Sequence, residues 1–539
     1  MPRPDKQEPV VFDLVEEHGP DAAAGTDEGP DAAAEPLARP PLLVRLSRVP
    51  RRTWLLTAAA VTVVAVAVAA VDLVRDDRRE ELMRTSSVGV ASLADPPAEI
   101  WRVPFDTLPE QGQDMPLDQQ VVTMGPLLVV PPAKAQSQWV APAPDRGEPV
   151  LPGFEDVVAI DPERGEVAWR VPLGDHPTCG PTGYDASTST EALVCVHGAD
   201  DVREVLTIAP DGSTRARSAD LAQGEQVFPG PDGLAVRTSR TGEPAGAVAC
   251  EPSVGCSPEF VTTGRDLLVV AEDARTGTAR WRAVVDFDPM NSMNCQATVE
   301  SGERLTVESA VDTDVVAVRA GAGTVVVDGC GVSATLSVSG TRLDLAVAAD
   351  GSSPAWVTEL DPGRFALQGE GPGTTVVDEA GETLQTLNGW VRVDATSPDA
   401  PDDLWFVTTR TDGSGFEAQR EDGSVAWSER YGWSVLLAGR DVVVVDRGNT
   451  VVGLERSTGA ELWTWSRDGL AGLARYRTLT DGEALALAHL SRDGVGEGRF
   501  VTLDLDTGEQ LWDMPTTGPV VAVGGHLVEF TREGVRGLG

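Results

Sequence analysis

The feature that most constrains this chain is a short pattern that recurs after residue 150. An apolar run ends at an acidic residue, a glycine follows four positions later, and a tryptophan follows four positions after the glycine. The full copies contain Asp161, Gly165 and Trp169; Asp273, Gly277 and Trp281; Glu455, Gly459 and Trp463; and Asp504, Gly508 and Trp512. A fifth copy keeps Gly423 and Trp427, and degenerate copies without the tryptophan have Gly212, Gly340 and Gly381 at the turn. Such recurrence indicates a repeat architecture.

The chemistry of the pattern is that of a β-hairpin. Glycine supplies the positive φ of a tight turn without steric cost. An aspartate at the start of the turn accepts hydrogen bonds from backbone amides two residues further on. The tryptophan then occupies the same position on the returning strand of every unit. This regularity predicts that its ring packs between neighbouring sheets rather than stacking on a ligand.

Each unit also contains two further strand-like runs. One unit reads as four short strands, at residues 434–437, 441–445, 451–454 and 461–465. Four strands per unit describe one blade of an all-β propeller. A β-sandwich would supply similar strands, but it would not repeat the spacing from glycine to tryptophan.

The number of blades follows from counting outer hairpins. Eight of them end near Trp169, Arg215, Trp281, Leu343, Leu384, Trp427, Trp463 and Trp512. A strand at residues 100–105 precedes the first unit and strands at 519–537 follow the last, and pairing these two ends would close the ring and remove its exposed edges. Closure gives nine blades by simple counting, which is outside the usual four to eight. We therefore expect eight blades, with seven as the alternative.

The repeat resembles that of a known family. The run from Val501 to Trp512 is similar to the repeat of the PQQ-binding-like β-propellers, whose motif has Thr-Gly followed by tryptophan. Thr-Gly stands here at Thr276-Gly277, Thr458-Gly459 and Thr507-Gly508. The resemblance implies a propeller over residues 95–539. It leaves two functions open, because the family includes quinone-dependent dehydrogenases and also cofactor-free scaffolds, among them a lipoprotein of the outer-membrane assembly machinery.

The sequence can be checked for the residues that a quinoprotein dehydrogenase requires. The resemblance to quinoprotein dehydrogenases implies adjacent cysteines, a calcium site and a catalytic aspartate. The chain has no adjacent cysteines and no haem-type CxxCH, and Asp161 and Asp504 already have turn roles. Its five histidines show no metal-ligand spacing. We therefore nominate no catalytic, cofactor-binding or metal-binding residue, and expect no cofactor.

The first hundred residues predict membrane topology. Residues 1–52 are rich in Pro, Ala, Gly and acidic residues, which predicts a disordered cytoplasmic tail. The apolar patch at residues 10–15 is interpreted either as a docking motif or as a chance cluster. The uncharged run within residues 53–74 is long enough to span a bilayer. Four arginines precede it and four follow it, so charge alone is close to neutral, and the cysteines, which all follow the segment, favour a cytoplasmic N-terminus. A cleaved signal peptide is the alternative. Residues 75–94 would form an extracytoplasmic stalk.

All six cysteines follow the predicted membrane segment. Cys179 and Cys195 are symmetric about a polar turn, Cys250 and Cys256 flank a short loop, and Cys295 and Cys330 pair by elimination. Three disulfides would place the large C-terminal part outside the cytoplasm. Six reduced core thiols are the alternative.

The net negative charge limits the classes of partner that the protein can bind. Of the net charge of −41, −35 lies after residue 100. Such acidity opposes binding to nucleic acid, which requires a positive surface. The sequence predicts a single-pass membrane protein whose propeller is a non-catalytic scaffold or sensor for a protein or envelope ligand. A PQQ-dependent oxidoreductase with a non-standard site is the alternative.

Overall fold

The computed structural model describes the chain from residue 78 onward, with gaps. The described residues are 78–104, 121–132, 156–174, 177–181, 189–198, 202–242, 264–288, 316–345, 356–369, 371, 373–391, 393, 395–408, 415–467, 473–491, 498–531 and 533–539. The predicted tail and the predicted membrane segment lie outside this set. No helix within it is long and apolar enough to cross a bilayer.

The described strands form nine antiparallel sheets, numbered here as blades in chain order. Blade 1 holds β2 (Val122–Met124), β3 (Leu127–Val130), β4 (Asp156–Ile160) and β5 (Val167–Pro172). Blade 2 holds β6 (Thr178–Gly180), β7 (Leu193–His197), β8 (Val202–Ile208) and β9 (Thr214–Asp220). Blade 3 holds β10 (Gln226–Pro229), β11 (Leu234–Arg240), β12 (Leu267–Asp273) and β13 (Ala279–Val285).

Blade 4 is three-stranded as described, with β14 (Val316–Ala320), β15 (Thr324–Gly329) and β16 (Val332–Ser337), followed by a short 3-10 helix at Leu343–Leu345. Blade 5 holds β17 (Trp356–Asp361), β18 (Arg364–Gln368), β19 (Thr374–Asp378) and β20 (Thr383–Leu387). Blade 6 holds β21 (Trp390–Val391), β22 (Trp405–Thr408), β23 (Phe416–Gln419) and β24 (Val425–Glu429).

Blade 7 holds β25 (Ser434–Ala438), β26 (Val442–Asp446), β27 (Thr450–Glu455) and β28 (Glu461–Ser466). Blade 8 holds β29 (Leu473–Thr480), β30 (Ala484–Ser491), β31 (Gly498–Asp504) and β32 (Gln510–Thr516). Blade 9 combines β33 (Val520–Val523), β34 (His526–Phe530) and β35 (Gly534–Leu538) with β1 (Glu99–Pro104) from the other end of the propeller.

The ring closes as the sequence predicts. Strand β1 pairs with β35 in antiparallel register, with Trp101 opposite Gly537 and Val103 opposite Val535. The outermost strand of blade 9 therefore comes from the start of the propeller, and the other three come from its end.

The expected blade number was wrong. The structure shows nine sheets among the described residues, where the sequence predicted eight or seven. Simple counting of the units gave nine, and the expectation failed because we relied on the usual range of four to eight blades and assumed that one degenerate unit would not form its own blade. The units at Gly212, Gly340 and Gly381 all lack the tryptophan, yet each belongs to a sheet of its own.

Apolar side chains hold each blade against the next. The buried cluster between blades 9 and 1 includes Val521, Val528 and Phe530 on one side and Leu128 and Ile160 on the other. Comparable buried clusters join every other successive pair of blades. Valine-rich strands fit this role because β-branched side chains pack well on pleated surfaces.

The propeller has two distinct faces. Successive strands alternate in direction, so the first and third turns of each blade lie on one face, which we call the turn face; in blade 7 these are residues 439–441 and 456–460. The second turn of each blade and the connections between blades lie on the opposite face, which we call the connection face; in blade 7 these are residues 447–449 and 430–433.

The chain approaches the propeller on the turn face. A helix at residues 78–85 packs on the first turns of blades 8 and 9, where Arg79 forms an ion pair with Glu483 at 2.8 Å and donates to the carbonyl of Asp481. Met83 and Leu93 are buried. Residues 78–94, expected to be a stalk, thus lie against the propeller.

One predicted disulfide is confirmed. Cys179 and Cys195 lie opposite each other on β6 and β7 and are bonded. Cys330 is also disulfide-bonded. The other three predicted partners, Cys250, Cys256 and Cys295, lie outside the described residues.

Candidate functional site

The acidic residues of the repeat are engaged within their own turns. Asp504 Oδ1 accepts hydrogen bonds from the amides of Asp506 and Thr507 and from the Thr507 hydroxyl. Asp161 and Asp273 accept corresponding amides. The hydrogen bond from Arg280 also lowers the pKa of Asp273. These hydrogen bonds hold the turn.

The repeat glycines adopt the positive φ that the hairpin requires. Gly165, Gly277, Gly423, Gly459 and Gly508 have φ between 69° and 78°. Most of them meet a second constraint, because the preceding blade places a side chain over the glycine. A Cβ on Gly459 would lie 2.6 Å from the ring of Trp427, and a Cβ on Gly508 would lie 2.5 Å from the ring of Trp463.

The repeat tryptophans bridge neighbouring blades. Each indole N–H donates to a backbone carbonyl of the following blade or, for Trp512, to the segment that leads into blade 9. The pairs are Trp101 to Pro162, Trp169 to Pro210, Trp281 to Val338, Trp427 to Arg456, Trp463 to Leu505 and Trp512 to Leu93, at 2.7 to 2.9 Å. These tryptophans therefore serve the architecture.

Three blades lack the tryptophan, and other side chains make the equivalent bond. Arg217 of blade 2 donates Nε to the carbonyl of Ala274 at 2.8 Å. Gln385 of blade 5 donates to the carbonyls of Arg420 and Glu421. In blade 4, Ser337 and Ser339 donate to the carbonyl of Glu379. Sequence reasoning missed these residues, although Gln385 follows Gly381 at the four-residue spacing that the tryptophan keeps from its glycine.

Arg217 also belongs to a part-buried ion-pair cluster between blades 2 and 3. Its Nη2 lies 2.7 Å from Glu272, which pairs in turn with Arg237 at 3.1 Å. Arg237 reaches Glu225 at 3.0 Å. Glu225 and Arg203 line a shallow depression of about 240 Å³. The carboxylate of Glu225 is already engaged by Arg237, so this depression is a weak candidate for a binding site.

No cluster of three or more metal-ligating side chains occurs among the described residues. Burial, assisted by the charge of Arg467, lowers the pKa of His489 to about 4, so this imidazole is neutral at physiological pH. It lies in the sheet of blade 8, opposite Arg499.

The strongest candidate surface lies on the connection face of blades 5 to 7. Trp356 begins the innermost strand of blade 5 and Trp390 begins that of blade 6, and their rings meet edge to face at 6.3 Å. Trp433 directly precedes the innermost strand of blade 7, and Tyr431 lies two residues earlier. We call these four residues the aromatic arc.

Backbone pairing links the part of the arc on blade 6 to the part on blade 7. Val393 and Val435 form a parallel bridge, so the chain that follows Trp390 runs beside the chain that follows Trp433. Trp356, Tyr431 and Trp433 are 58%, 71% and 61% exposed, whereas Trp390 is half-buried and donates to the carbonyl of Gly371. Large aromatic side chains left in water over neighbouring elements mark interaction surfaces.

The backbone beneath the arc is held firmly. The amide of Trp433 donates to the carbonyl of Asp446 at 2.7 Å, and the amide of Tyr431 donates to Glu429 at 2.9 Å. Arg447 pairs with both Glu429 and Glu461 at 2.8 Å. The exposed rings are thus presented on a fixed framework, which lowers the ordering cost of binding.

Comparison with known proteins supports the repeat. The family model described as outer membrane protein assembly factor BamB matches residues 374–532, which run from the third strand of blade 5 into blade 9. This match confirms the PQQ-like repeat that the sequence predicts. No curated protein matches the chain.

Three solved structures show distant similarity to the chain. A dihydro-heme d1 dehydrogenase, NirN, is 13% identical, with 80% of each chain covered and a TM-score of 0.30. The quinohemoprotein alcohol dehydrogenase of Comamonas testosteroni is 12% identical, with 82% of this chain and 76% of that chain covered and a TM-score of 0.32. The C-terminal WD40 domain of Sif2 is 12% identical, with 65% and 92% covered and a TM-score of 0.30. Similarity of this degree carries no inference about function.

Proposed function

Because the chain carries the PQQ-like propeller repeat, we propose that it is a membrane-tethered extracytoplasmic propeller that binds a protein or envelope ligand without catalysing a reaction. The observation that carries this proposal is the aromatic arc on the connection face. Exposed tryptophan and tyrosine are the side chains most enriched at binding hot spots.

The arc and the approach of the chain lie on opposite faces. The helix at residues 78–85 packs on the turn face, through Arg79 and its partners Asp481 and Glu483. The arc begins at Trp356 and Trp390 on the connection face. This arrangement supports a binding role because the segment that joins the propeller does not obstruct the arc.

The extracytoplasmic location rests on chemistry and sequence. The bond between Cys179 and Cys195, together with the bonded state of Cys330, fits an oxidising compartment. The uncharged run from Trp54 to Val71 fits a membrane anchor. A membrane-impermeant protease added to intact cells should cleave the propeller and spare the N-terminal tail. Protection of the propeller would contradict the proposed topology.

Binding can be tested by crosslinking in membranes. A photoreactive amino acid at Tyr431 should capture a defined partner, because this side chain is the most exposed of the arc. Trp433→Ala should reduce capture, whereas Leu511→Ala on outer strand β32, where the side chain is 42% exposed, should not. Capture that is absent, or equally strong in Trp433→Ala, would contradict a role for the arc.

The quinone-dependent alternative can be tested by adding its cofactor. Incubation of the full chain with pyrroloquinoline quinone and Ca²⁺ should give neither a bound chromophore nor a thermal shift. A stoichiometric chromophore would contradict the non-catalytic proposal.

A further inference from the structure

We infer that the ligand of the aromatic arc is a cationic peptide segment that presents arginine or lysine side chains to the exposed indole rings. This inference rests on the proposed binding function and names the chemistry of its partner. It follows from the aromatic surface, from the acidity of the propeller and from contacts that the propeller makes internally.

The arc is large enough to receive a short segment. At about 200 Å² per aromatic side chain, the exposed fractions of Trp356, Tyr431 and Trp433 correspond to about 400 Å². This combined area is comparable with the area of the largest apolar patch on a typical monomer, which is often functional. The face of each indole carries negative electrostatic potential, so a cation placed over it is attracted.

Among the described residues beside Tyr431 and Trp433, both signs of charge are present. Arg447 pairs with Glu429 of blade 6 and Glu461 of blade 7, Arg467 pairs with Asp446 at 2.9 Å, and Arg430, next to Tyr431, is exposed. These local charges are balanced, so the preference for a cation comes from the indole faces and from the acidity of the whole propeller. Glu461 is half-exposed, and hydrogen bonds from Thr464 and Arg447 lower its pKa, so it stays ionised near neutral pH.

The charge of the whole propeller favours a cationic partner. The sequence after residue 100 carries −35 of the net −41, which attracts basic segments over distance and repels phosphate-bearing and acidic partners. Charge alone would attract cations to any part of the surface. The aromatic arc adds a specific place where a guanidinium or ammonium group can dock.

The propeller uses the same contact within its own fold. The guanidinium of Arg364 lies over the ring of Trp405, 5.0 Å from its centroid, and that of Arg456 lies over Phe406 at 5.7 Å. Both contacts lie in blades 5 to 7, the blades that carry the arc. A partner arginine stacked on Trp356 or Trp433 would repeat this geometry.

The inference can be tested with simple probes on the full chain in detergent. The probes are a short peptide of alternating arginine and glycine, its glutamate counterpart of equal length, and an uncharged oligosaccharide. Titration calorimetry should show binding of the arginine peptide alone. Stronger binding of the glutamate peptide, or binding of the oligosaccharide alone, would overturn the inference.

Variants distinguish binding by the exposed rings from attraction to the overall negative charge. Trp433→Leu keeps every charge and should weaken binding of the arginine peptide about tenfold, the expected effect of losing one desolvated cation–π contact. Leu511→Ala, on an outer strand, should leave affinity unchanged. Equal affinity of Trp433→Leu and the wild type would overturn the inference. Because Trp433 is 61% exposed, Trp433→Leu should keep the wild-type melting temperature.

The two proposals can fail separately. If crosslinking from Tyr431 still captures a partner that depends on Trp433, but no arginine peptide binds, the binding function stands and the cationic ligand is refuted. If neither occurs, both are refuted.

Discussion

The ring of Trp463 in blade 7 covers the α-carbon of Gly508 in blade 8. A Cβ on Gly508 would lie 2.5 Å from Cδ2 of Trp463, and the indole N–H donates to Leu505 of the same turn at 2.7 Å. The repeated spacing from glycine to tryptophan therefore reflects two contacts. Within one hairpin, the glycine forms the turn that precedes the strand with the tryptophan. Between hairpins, the tryptophan of one blade lies against the glycine of the next.

Substitution of two turn glycines should separate these roles. Gly508 and Gly423 have φ of 69° and 78°, so alanine should cost about 1 to 2 kcal/mol of backbone strain at either position. A Cβ on Gly423 meets nothing within 4 Å, whereas one on Gly508 meets Trp463. Gly508→Ala should therefore lose about 1 to 3 kcal/mol more than Gly423→Ala. Urea unfolding of both variants provides the measurement, and equal losses would contradict the interblade contact.

The open space at Gly423 also predicts a stabilising change. Gln385 occupies the position of the tryptophan in blade 5 and donates to Arg420 and Glu421. Gln385→Trp should restore the ring and its N–H donor, raising the free energy of unfolding by about 1 to 2 kcal/mol. Gln385→Ala should lower it, and thermal unfolding distinguishes the two. A loss of stability in Gln385→Trp would show that blade 5 cannot accept the ring.

Closure of the ring involves a buried ion pair. Glu529 is fully buried, Arg536 binds it at 2.6 Å, and Arg536 also reaches Glu99 on β1 at 3.2 Å. Hydrogen bonds from Arg102 and Arg536 lower the pKa of Glu99 to about 2. Arg536→Met should cost about 3 to 5 kcal/mol, because it removes the cation from a buried carboxylate. Glu529→Gln combined with Arg536→Met should recover part of this loss in urea unfolding, and a purely additive double variant would argue against coupling.

The buried imidazole of His489 predicts acid sensitivity. Its pKa is about 4 in the folded protein and about 6.5 when unfolded. Because the folded pKa is depressed, the unfolded chain takes up the proton at a higher pH than the folded protein does. The stability linked to the neutral imidazole is therefore complete above about pH 6.5 and falls by about 3 kcal/mol at most as the pH approaches 4. His489→Leu should show a weaker decline in the free energy of unfolding over this range. Parallel pH profiles for the two proteins would exclude this role for His489.

The disulfide in blade 2 should contribute stability. Cys179 and Cys195 are 16 residues apart, a loop for which chain entropy predicts about 3 kcal/mol. The double variant Cys179→Ala with Cys195→Ala should unfold at lower urea concentration than the wild type under oxidising conditions. In reductant the difference should shrink, and a difference that persists there would point to packing instead.

Local chemistry made much of the fold predictable. An acidic residue, a glycine and a tryptophan at fixed spacing specify a hairpin wherever they occur, because turn hydrogen bonds and positive φ involve only nearby residues. The same locality placed Cys179 opposite Cys195. The pairing of the two ends could also be foreseen, since a propeller leaves no other partner for an extra strand.

The blade number depended on contacts between repeats. Arg217, Gln385 and Ser337 do not look like tryptophan, yet each donates to a carbonyl of the next blade as tryptophan does. Spacing from the turn glycine marks only Gln385, and the acceptors belong to a neighbouring unit, so one unit by itself does not reveal these contacts. The expectation of eight blades failed because we assumed that one degenerate unit would not form its own blade.

The sequence by itself determined the all-β class, the repeated hairpin and the acidity of the propeller, since these follow from local turn chemistry and composition. Only the tertiary structure decided which tryptophans are structural and which are available to a ligand. Trp463 is buried because the next blade covers it, and Trp433 is 61% exposed because it precedes its strand on the connection face. Burial is set by what packs against a side chain, and in a ring of blades that neighbour comes from another repeat.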